Sequence, residues 1–200
     1  MTDSYQSISG ESTGAFRDKA SKFLSFAFPV ETEEEAREKL ANLRNAYHDA
    51  NHHCFAYRLG PEGTVFRVSD DGEPSGSAGR PILGQMVSMG ISDIMVVVVR
   101  YFGGTKLGIP GLIHAYKTSA RLSLENASLT EKYVESRILA TFPYQDLDAV
   151  MRILKQGGVR TIRKQIDQLC TAELMVRRSL HDSLIERLCK ASKTLKVTGD

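Results

Sequence analysis

The chain has 200 residues, of which 42% are hydrophobic and 25% are charged, so it can bury a core as one large domain or two small ones. Its formal net charge of +2 divides into −2 over residues 1–128 and +4 over residues 129–200. This composition is that of a globular protein, and the more basic C-terminal part favours an anionic partner.

The sequence has no feature that suggests a membrane or an oxidising compartment. No stretch approaches the roughly 18 uninterrupted apolar residues of a membrane helix, and residues 1–14 lack an apolar signal core. Cys54, Cys170 and Cys189 are odd in number and widely spaced, which argues against a disulfide framework. We therefore expect a cytoplasmic protein without a membrane partner, whose three thiols are buried or idle.

The first half of the chain alternates between extended and helical patterns. Residues 1–14 are rich in Ser, Thr and Gly, which predicts a flexible leader. Thr32 and Glu35 have the spacing of a capping box, and residues 94–101 have the composition of a strand buried on both faces. The elements predicted in this half are a strand at 22–30, a helix at 33–50, a hairpin at 55–68, a helix at 82–89, the strand at 94–101 and a helix at 110–127.

A second set of patterns begins near residue 132 and follows the order βαββα. It consists of a strand at 134–142, a helix at 145–156, strands at 159–166 and 169–178, and a helix at 179–191. We therefore predict two domains after the leader, at 15–128 and 132–200. The second is a small α+β sandwich.

Two glycine-rich segments, residues 70–80 and 100–111, each adjoin a predicted strand. Glycine lets a ligand approach the main chain closely, so we predict that the two segments lie together in one cleft. In the first segment, Asp70, Asp71 and Glu73 could bind a divalent cation, or they could cap backbone amides in a solvated turn.

The run from Pro74 to Gly79 could present backbone N–H groups to a phosphate-type anion, or it could form a tightly packed helix cap. It matches neither the P-loop pattern nor the dinucleotide fingerprint. In the second segment, Arg100, Tyr101, Phe102 and Lys106 combine cations with aromatic rings, as in sites that bind RNA by phosphate contacts and base stacking. The alternative is a packed ring with solvated cations.

Neither the histidines nor the cysteines predict a metal or cofactor site. His52 and His53 are adjacent on a predicted strand and face opposite sides, so they cannot easily bind one metal. The same geometry separates Cys54 from a histidine base. An auxiliary basic surface that could contact RNA or an acidic protein is predicted in the second domain at Arg160, Arg163, Lys164, Arg177 and Arg178.

Four segments closely resemble the IMPACT/YigZ family, with its UPF0029-type N-terminal domain and the small C-terminal domain of the bacterial two-domain form. The matching segments are residues 19–23, 50–57, 70–83 and 96–108. The resemblance implies a ribosomal protein S5 domain 2-like fold, followed by a ferredoxin-like domain similar to elongation factor G domain V. It also implies a link to translation. The sequence departs from the family pattern at Ser77, Pro110 and His114, and the loss of a basic residue at His114 weakens a phosphate contact there.

Together these observations predict a non-catalytic cytoplasmic protein that binds RNA, the ribosome or a translation-factor partner and modulates translation. An enzyme acting on a phosphorylated small molecule or nucleotide is one alternative, and a pure protein-interaction module is another. No catalytic residue, metal ligand or cofactor is predicted. The candidate ligand-binding residues are Lys22, His52, His53, Tyr57, Asp70, Asp71, Glu73, Ser75, Ser77, Arg80, Arg100, Tyr101 and Lys106.

Overall fold

The structure, a computed structural model, describes residues 3–155 and 157–199 and is a mixed α+β fold. Its residues group into two units. The first unit is Tyr5–Lys132, and the second contains residues 3–4 and the described residues from 133 onward.

The first half of the chain contains seven strands and three helices among the described residues. A five-stranded antiparallel sheet has the order β2-β3-β6-β4-β5, and β1 pairs separately with β7. The elements are β1 (Ser4–Ile8), β2 (Ser12–Asp18), β3 (Ser21–Pro29), α1 (Glu33–Ala46), β4 (His52–Leu59), β5 (Val65–Ser69), α2 (Gly79–Ser88), β6 (Ile94–Tyr101), α3 (Gly108–Glu125) and β7 (Leu129–Tyr133).

The middle strand β6 divides the core of this unit into two layers. Val96 and Val98 belong to the cluster that includes residues of α2 and α3, whereas Val97 and Val99 belong to the cluster that includes residues of α1. Because successive side chains of a strand point to opposite faces, a strand covered on both sides needs an unbroken apolar run. The prediction for residues 94–101 is confirmed with the same bounds.

The Thr32 cap predicted before α1 is confirmed, because the Glu35 N–H donates to Thr32 Oγ1 at 3.2 Å. The Glu35 carboxylate accepts from the Glu31 N–H at 2.7 Å, one residue before the cap, and not from the Thr32 N–H of a standard capping box. The helix ends at Ala46 instead of residue 50, because the chain turns there and the Ala50 N–H bonds to the Tyr47 carbonyl.

The prediction of a flexible leader over residues 1–14 is wrong for the described part of that segment. Its residues form β1 and the beginning of β2, and the Ser12 hydroxyl donates to the Ser123 carbonyl at 2.7 Å. At Gly14 the strand comes so close to α3 that a Cβ would lie 2.6 Å from the Ser123 nitrogen. An edge strand needs few apolar side chains when backbone hydrogen bonds and close packing hold it in place.

The second unit has a four-stranded antiparallel sheet in the order β11-β8-β10-β9. A core cluster of this unit includes Ile138, Leu174, Val150 and Leu184, so it joins the sheet to both helices. The terminal strand of this sheet was not predicted. The elements are β8 (Glu135–Pro143), α4 (Leu147–Leu154), β9 (Val159–Gln165), β10 (Leu169–Arg177), α5 (His181–Ala191) and β11 (Lys196–Gly199).

The 18-residue helix α3 packs on the core through one apolar stripe, which includes Leu112 and Tyr116. Across residues 3–155 and 157–199, no helix has both the length and the apolar character needed to cross a membrane. Cys54 and Cys170 are buried as expected, whereas Cys189 is exposed on α5.

We expect a fragment of residues 1–134 to fold without the rest of the chain, because it contains both layers of its own core and the β1–β7 pair. A shorter fragment of residues 15–128 should melt at a lower temperature, since it lacks that pair and the start of β2. Circular dichroism during heating measures both. The absence of a cooperative transition in the 1–134 fragment would contradict this domain division.

Candidate functional site

The two glycine-rich segments meet at a buried ion pair. Arg100 Nη1 lies 2.5 Å from Glu73 Oε1, and the two side chains are only 6% and 4% exposed. A charge-assisted hydrogen bond of this length in a dry environment constrains both partners strongly. The prediction that residues 70–80 and 100–111 lie together is therefore confirmed.

A chain of polar groups extends from this ion pair into the core. The Tyr116 hydroxyl donates to Glu73 Oε1 at 2.7 Å, and Cys54 Sγ lies 3.3 Å from the same hydroxyl. Burial raises the pKa of the Cys54 thiol and of the Tyr116 hydroxyl far above their usual ranges. Both groups stay protonated, so Cys54 is not an activated nucleophile.

The guanidinium of Arg100 is held between two aromatic rings. Its Cζ lies 5.3 Å from the ring centroid of Phe23 and 5.5 Å from that of Phe102. Its Nη2 is 3.4 Å from Ser21 Oγ, while its buried Nε has no hydrogen-bond partner in the described part of the chain. Arg100 therefore makes cation–π contacts with both rings.

Asp70 organises the first glycine-rich segment by binding the start of α2. Its Oδ1 accepts from the Ala78 and Gly79 N–H groups at 3.0 and 2.8 Å, and its Oδ2 accepts from the Gly76 N–H at 2.8 Å. Burial acts to raise the pKa of Asp70, but these N–H groups outweigh it and hold the pKa below its usual range. The N–H groups expected to receive a phosphate are therefore occupied by a carboxylate of the chain itself.

The other polar residues of this segment also have internal partners or are solvated. Asp71 binds Arg44 Nη2 at 2.7 Å and the His53 N–H at 2.6 Å, so it turns away from Glu73. The buried Ser77 donates to the Pro74 carbonyl, whereas Ser75 and Arg80 are exposed. Within the described ranges no three His, Cys, Asp or Glu side chains are grouped as a metal site. The carboxylates cap and brace the turn.

The sheet separates the remaining candidates into two sets. His52 lies on the face of α2 and α3, with Nδ1 at 2.8 Å from the Asp71 carbonyl and Nε2 at 3.8 Å from Glu73 Oε1. His53 faces the other side, and its burial lowers its pKa. Strand alternation and register also place Lys22, Tyr57 and Tyr101 on the α1 face. These four residues do not join the ion pair in one site.

A cavity of about 330 Å³, which we call the loop cleft, lies beside the ion pair. Phe102 at its edge is 44% exposed, and Lys106 is also exposed. Gly103 brings this segment against Ala20 so closely that a Cβ would lie 2.1 Å from the Ala20 carbonyl carbon. The residues that line the loop cleft are Glu73, Pro74, Arg100, Phe102, Lys106, Leu107, Gly108, Ile109 and Leu112.

The start of α3 supplies a part of the loop cleft that the sequence analysis missed. Among the described residues the cap position, Leu107, makes no side-chain hydrogen bond to this end of the helix, and the first turn contains no acidic residue. The N–H groups of the first turn, which include those of Gly108 and Ile109, have no partner within an α-helix, and the helix dipole favours an anion there. Two features of the sequence indicate an uncapped helix start. Pro110 lies in the first turn, and the cap position is Leu107, not Ser, Thr, Asp or Asn.

The predicted auxiliary basic residues lie on the second unit and differ in their contacts. Arg160 pairs with Glu135 at 3.0 Å, and Arg177 Cζ lies 3.4 Å from the ring centroid of Tyr133. Arg163 and Lys164 are exposed on β9, which forms one edge of the sheet. Arg178 lines a small cavity beside Ser136.

The fold and the loop cleft thus define a two-unit α+β protein with a site built from glycine-rich loops. The family model of the Impact N-terminal domain matches residues 19–124. A relative from Thermus thermophilus, an IMPACT family member, is 39% identical over 135 residues, or 68% of this chain and 72% of the relative. The chain therefore belongs to the IMPACT family.

Two further comparisons concern another IMPACT family member and a solved structure of similar fold. The IMPACT family member YvyE of Bacillus subtilis is 39% identical over 112 residues, and the match covers 56% of this chain and about half (52%) of that relative. The crystal structure of a hypothetical protein is similar with a TM-score of 0.79 at 26% identity and covers 98% of this chain and 97% of its own.

Replacing Asp70 with Ala should lower the free energy of unfolding by about 1–2 kcal/mol at pH 7, since three N–H groups lose their acceptor. Because the folded state holds the pKa of Asp70 low, its contribution is complete above about pH 4 and is lost as the pH falls through the folded-state pKa. Urea unfolding at pH 7 and below pH 3 measures this. The exposed control Glu62→Ala should change stability by less than about 0.5 kcal/mol.

Glu73→Ala should destabilise the protein by about 3–5 kcal/mol, because it leaves the buried Arg100 charge unpaired. Removing both charges with Glu73→Leu and Arg100→Met should recover part of that loss. The double variant has no uncompensated charge. Urea unfolding measures the free energy of unfolding of both variants. If the double variant is less stable than Glu73→Ala, the cost of Glu73→Ala does not come from an unpaired Arg100 charge.

Proposed function

We propose that this protein is a non-catalytic cytoplasmic binding protein that contacts RNA, free or within the ribosome, and thereby modulates translation. The observation that carries the proposal is the loop cleft, where an exposed aromatic ring, an exposed lysine and an uncapped helix start surround one cavity. The link to translation rests on the resemblance to the IMPACT/YigZ family.

Each side of the loop cleft suits one part of a nucleotide. A base can stack on the exposed ring of Phe102, which also makes a cation–π contact with the Arg100 guanidinium. A phosphate can reach the Lys106 ammonium and the N–H groups of Gly108 and Ile109. The unpartnered Arg100 Nε adds a buried donor in the lining.

This arrangement gives Arg100 and Lys106 different roles. The charge of Arg100 is compensated by Glu73, so Arg100 positions Phe102 and joins the two loops. Lys106 is the cation that a phosphate would meet first. The auxiliary basic residues of β9, Arg163 and Lys164, could add sequence-independent phosphate contacts.

Binding fits the chemistry of the loop cleft better than catalysis. The alternative function is an enzyme that would act on a phosphorylated small molecule through the acidic loop. Asp70 is engaged by three N–H groups, and Glu73 by Arg100 and Tyr116. Carboxylates bound in this way hold structure, and the protonated Cys54 thiol is a poor nucleophile.

We also propose the finer fold assignments that the resemblance implies. The order β8, α4, β9, β10, α5, β11 is βαββαβ in one antiparallel sheet, which supports a ferredoxin-like second domain. For the first domain we propose the ribosomal protein S5 domain 2-like fold. We place the domains at 15–128 and 132–200, and residues 4–14 contribute strands to the first.

The function can be tested with a fluorescently labelled, mixed-sequence single-stranded RNA and fluorescence anisotropy. Phe102→Ala should weaken binding about tenfold through lost stacking. Lys106→Gln should weaken RNA binding at low salt. It should also reduce the slope of log affinity against log salt concentration by about 1, the amount expected for the loss of one phosphate contact. Melting temperatures should stay unchanged, because both side chains are exposed.

The matched control is Lys117→Gln, which removes an exposed lysine further along α3 and should leave affinity unchanged. If the wild-type protein does not bind the RNA, the proposed function is wrong. If the Phe102→Ala, Lys106→Gln double variant binds as tightly as the wild type, the loop cleft is not the binding surface.

A further inference from the structure

A second cavity, of about 290 Å³, lies on the α1 face of the sheet, and we call it the arginine groove. It lies between α1 and the strands β4 and β5, on the side of the sheet away from the loop cleft. Its lining residues are Glu33, Ala36, Arg37, Leu40, Arg44, Phe55, Tyr57, Arg67, Ser69 and Met95. The proposed RNA contacts use none of them.

The floor of the arginine groove is apolar and rigid. Phe55, Tyr57 and Met95 are buried residues of two paired strands. The rings of Phe55 and Tyr57 are nearly parallel, with 12° between their planes and 6.5 Å between their centroids. The volume is near the lower end of the range for small-molecule pockets, about 300 Å³. A compact apolar or aromatic group fits such a floor.

Two of the three arginines in the lining are positioned by other residues. Arg44 is bound at one nitrogen by Asp71, 2.7 Å away. Arg67 lies opposite Tyr57 in the β4–β5 pair, and both residues line the groove together with Glu33. A guanidinium has five N–H donors in a planar fork, so each of these arginines retains donors for a ligand.

Guanidinium groups outnumber carboxylates in the lining of the groove. The lining contains three guanidinium groups and one carboxylate, that of Glu33, while Asp71 pairs with Arg44 from outside the lining. Arg37 pairs with Glu34 at 3.8 Å on a solvated surface, where such pairs contribute little. Arginine forks match the oxygens of a phosphate with paired hydrogen bonds. A groove that has an apolar floor and arginines in its lining therefore suits an organic phosphate better than a free one.

We propose that the arginine groove binds an organic monophosphate of the size of a nucleoside monophosphate. Its apolar body rests on Phe55, Tyr57 and Met95, and Arg44 and Arg67 hold the phosphate. This site is separate from the loop cleft and does not depend on RNA binding there.

The test is isothermal titration of the full chain with adenosine monophosphate, adenosine and inorganic phosphate. Adenosine monophosphate should bind saturably at one site, at least tenfold more tightly than either of its parts. Its addition should shift the Met95 methyl signal in a carbon-edited NMR spectrum. Arg67→Gln should weaken this binding at least tenfold, with the melting temperature unchanged because Arg67 is exposed.

Two control variants make the result specific. Arg17→Gln changes an exposed arginine on the opposite edge strand β2 and should leave the affinity unchanged. Lys106→Gln changes the loop cleft and should also leave it unchanged. The proposal is overturned by any of three results: no saturable binding, equal binding of inorganic phosphate, or full affinity in Arg67→Gln. RNA binding is measured separately by the anisotropy experiment, so its failure and the failure of this proposal are distinguishable.

Discussion

The buried ion pair between Glu73 and Arg100 is the contact on which the loop cleft depends. Each charge would be costly to bury alone, so the two segments that carry them must come together for either side chain to be accommodated. The same contact places the Arg100 guanidinium against the ring of Phe102, in the lining of a cavity that the start of α3 also lines. One electrostatic requirement thereby positions an aromatic surface, a lysine and a helix terminus around one cavity.

The structure also decides which helix start can receive an external anion. Both α2 and α3 follow a glycine-rich segment, and either could present backbone N–H groups. Asp70 fills the first with its own carboxylate, whereas the start of α3 has neither a capping side chain nor an acidic residue. The loop at residues 70–80 therefore mainly stabilises the start of α2 and the position of Arg100, and the segment at residues 102–112 provides the accessible surface.

Strand alternation gives the first unit two chemically different faces. On β4, His52 and Cys54 face the ion pair, whereas His53, Phe55 and Tyr57 face α1 and the arginine groove. Asp71 connects the two sides, because it belongs to the first glycine-rich segment and binds Arg44 of the groove. Residues that are neighbours in the sequence thus serve separate surfaces.

By itself, the sequence determined the elements whose patterns are local. The apolar run of β6, the Thr32 cap and the two glycine-rich segments could all be read from short stretches, because period, capping and turn chemistry depend on neighbouring residues. Only the tertiary structure decided that the polar segment containing Ser4–Ile8 forms a strand, that Asp70 occupies the start of α2, and that Arg100 is neutralised by Glu73. Those outcomes depend on partners distant in the sequence, and burial of a charge or pairing of an edge strand has no local signature.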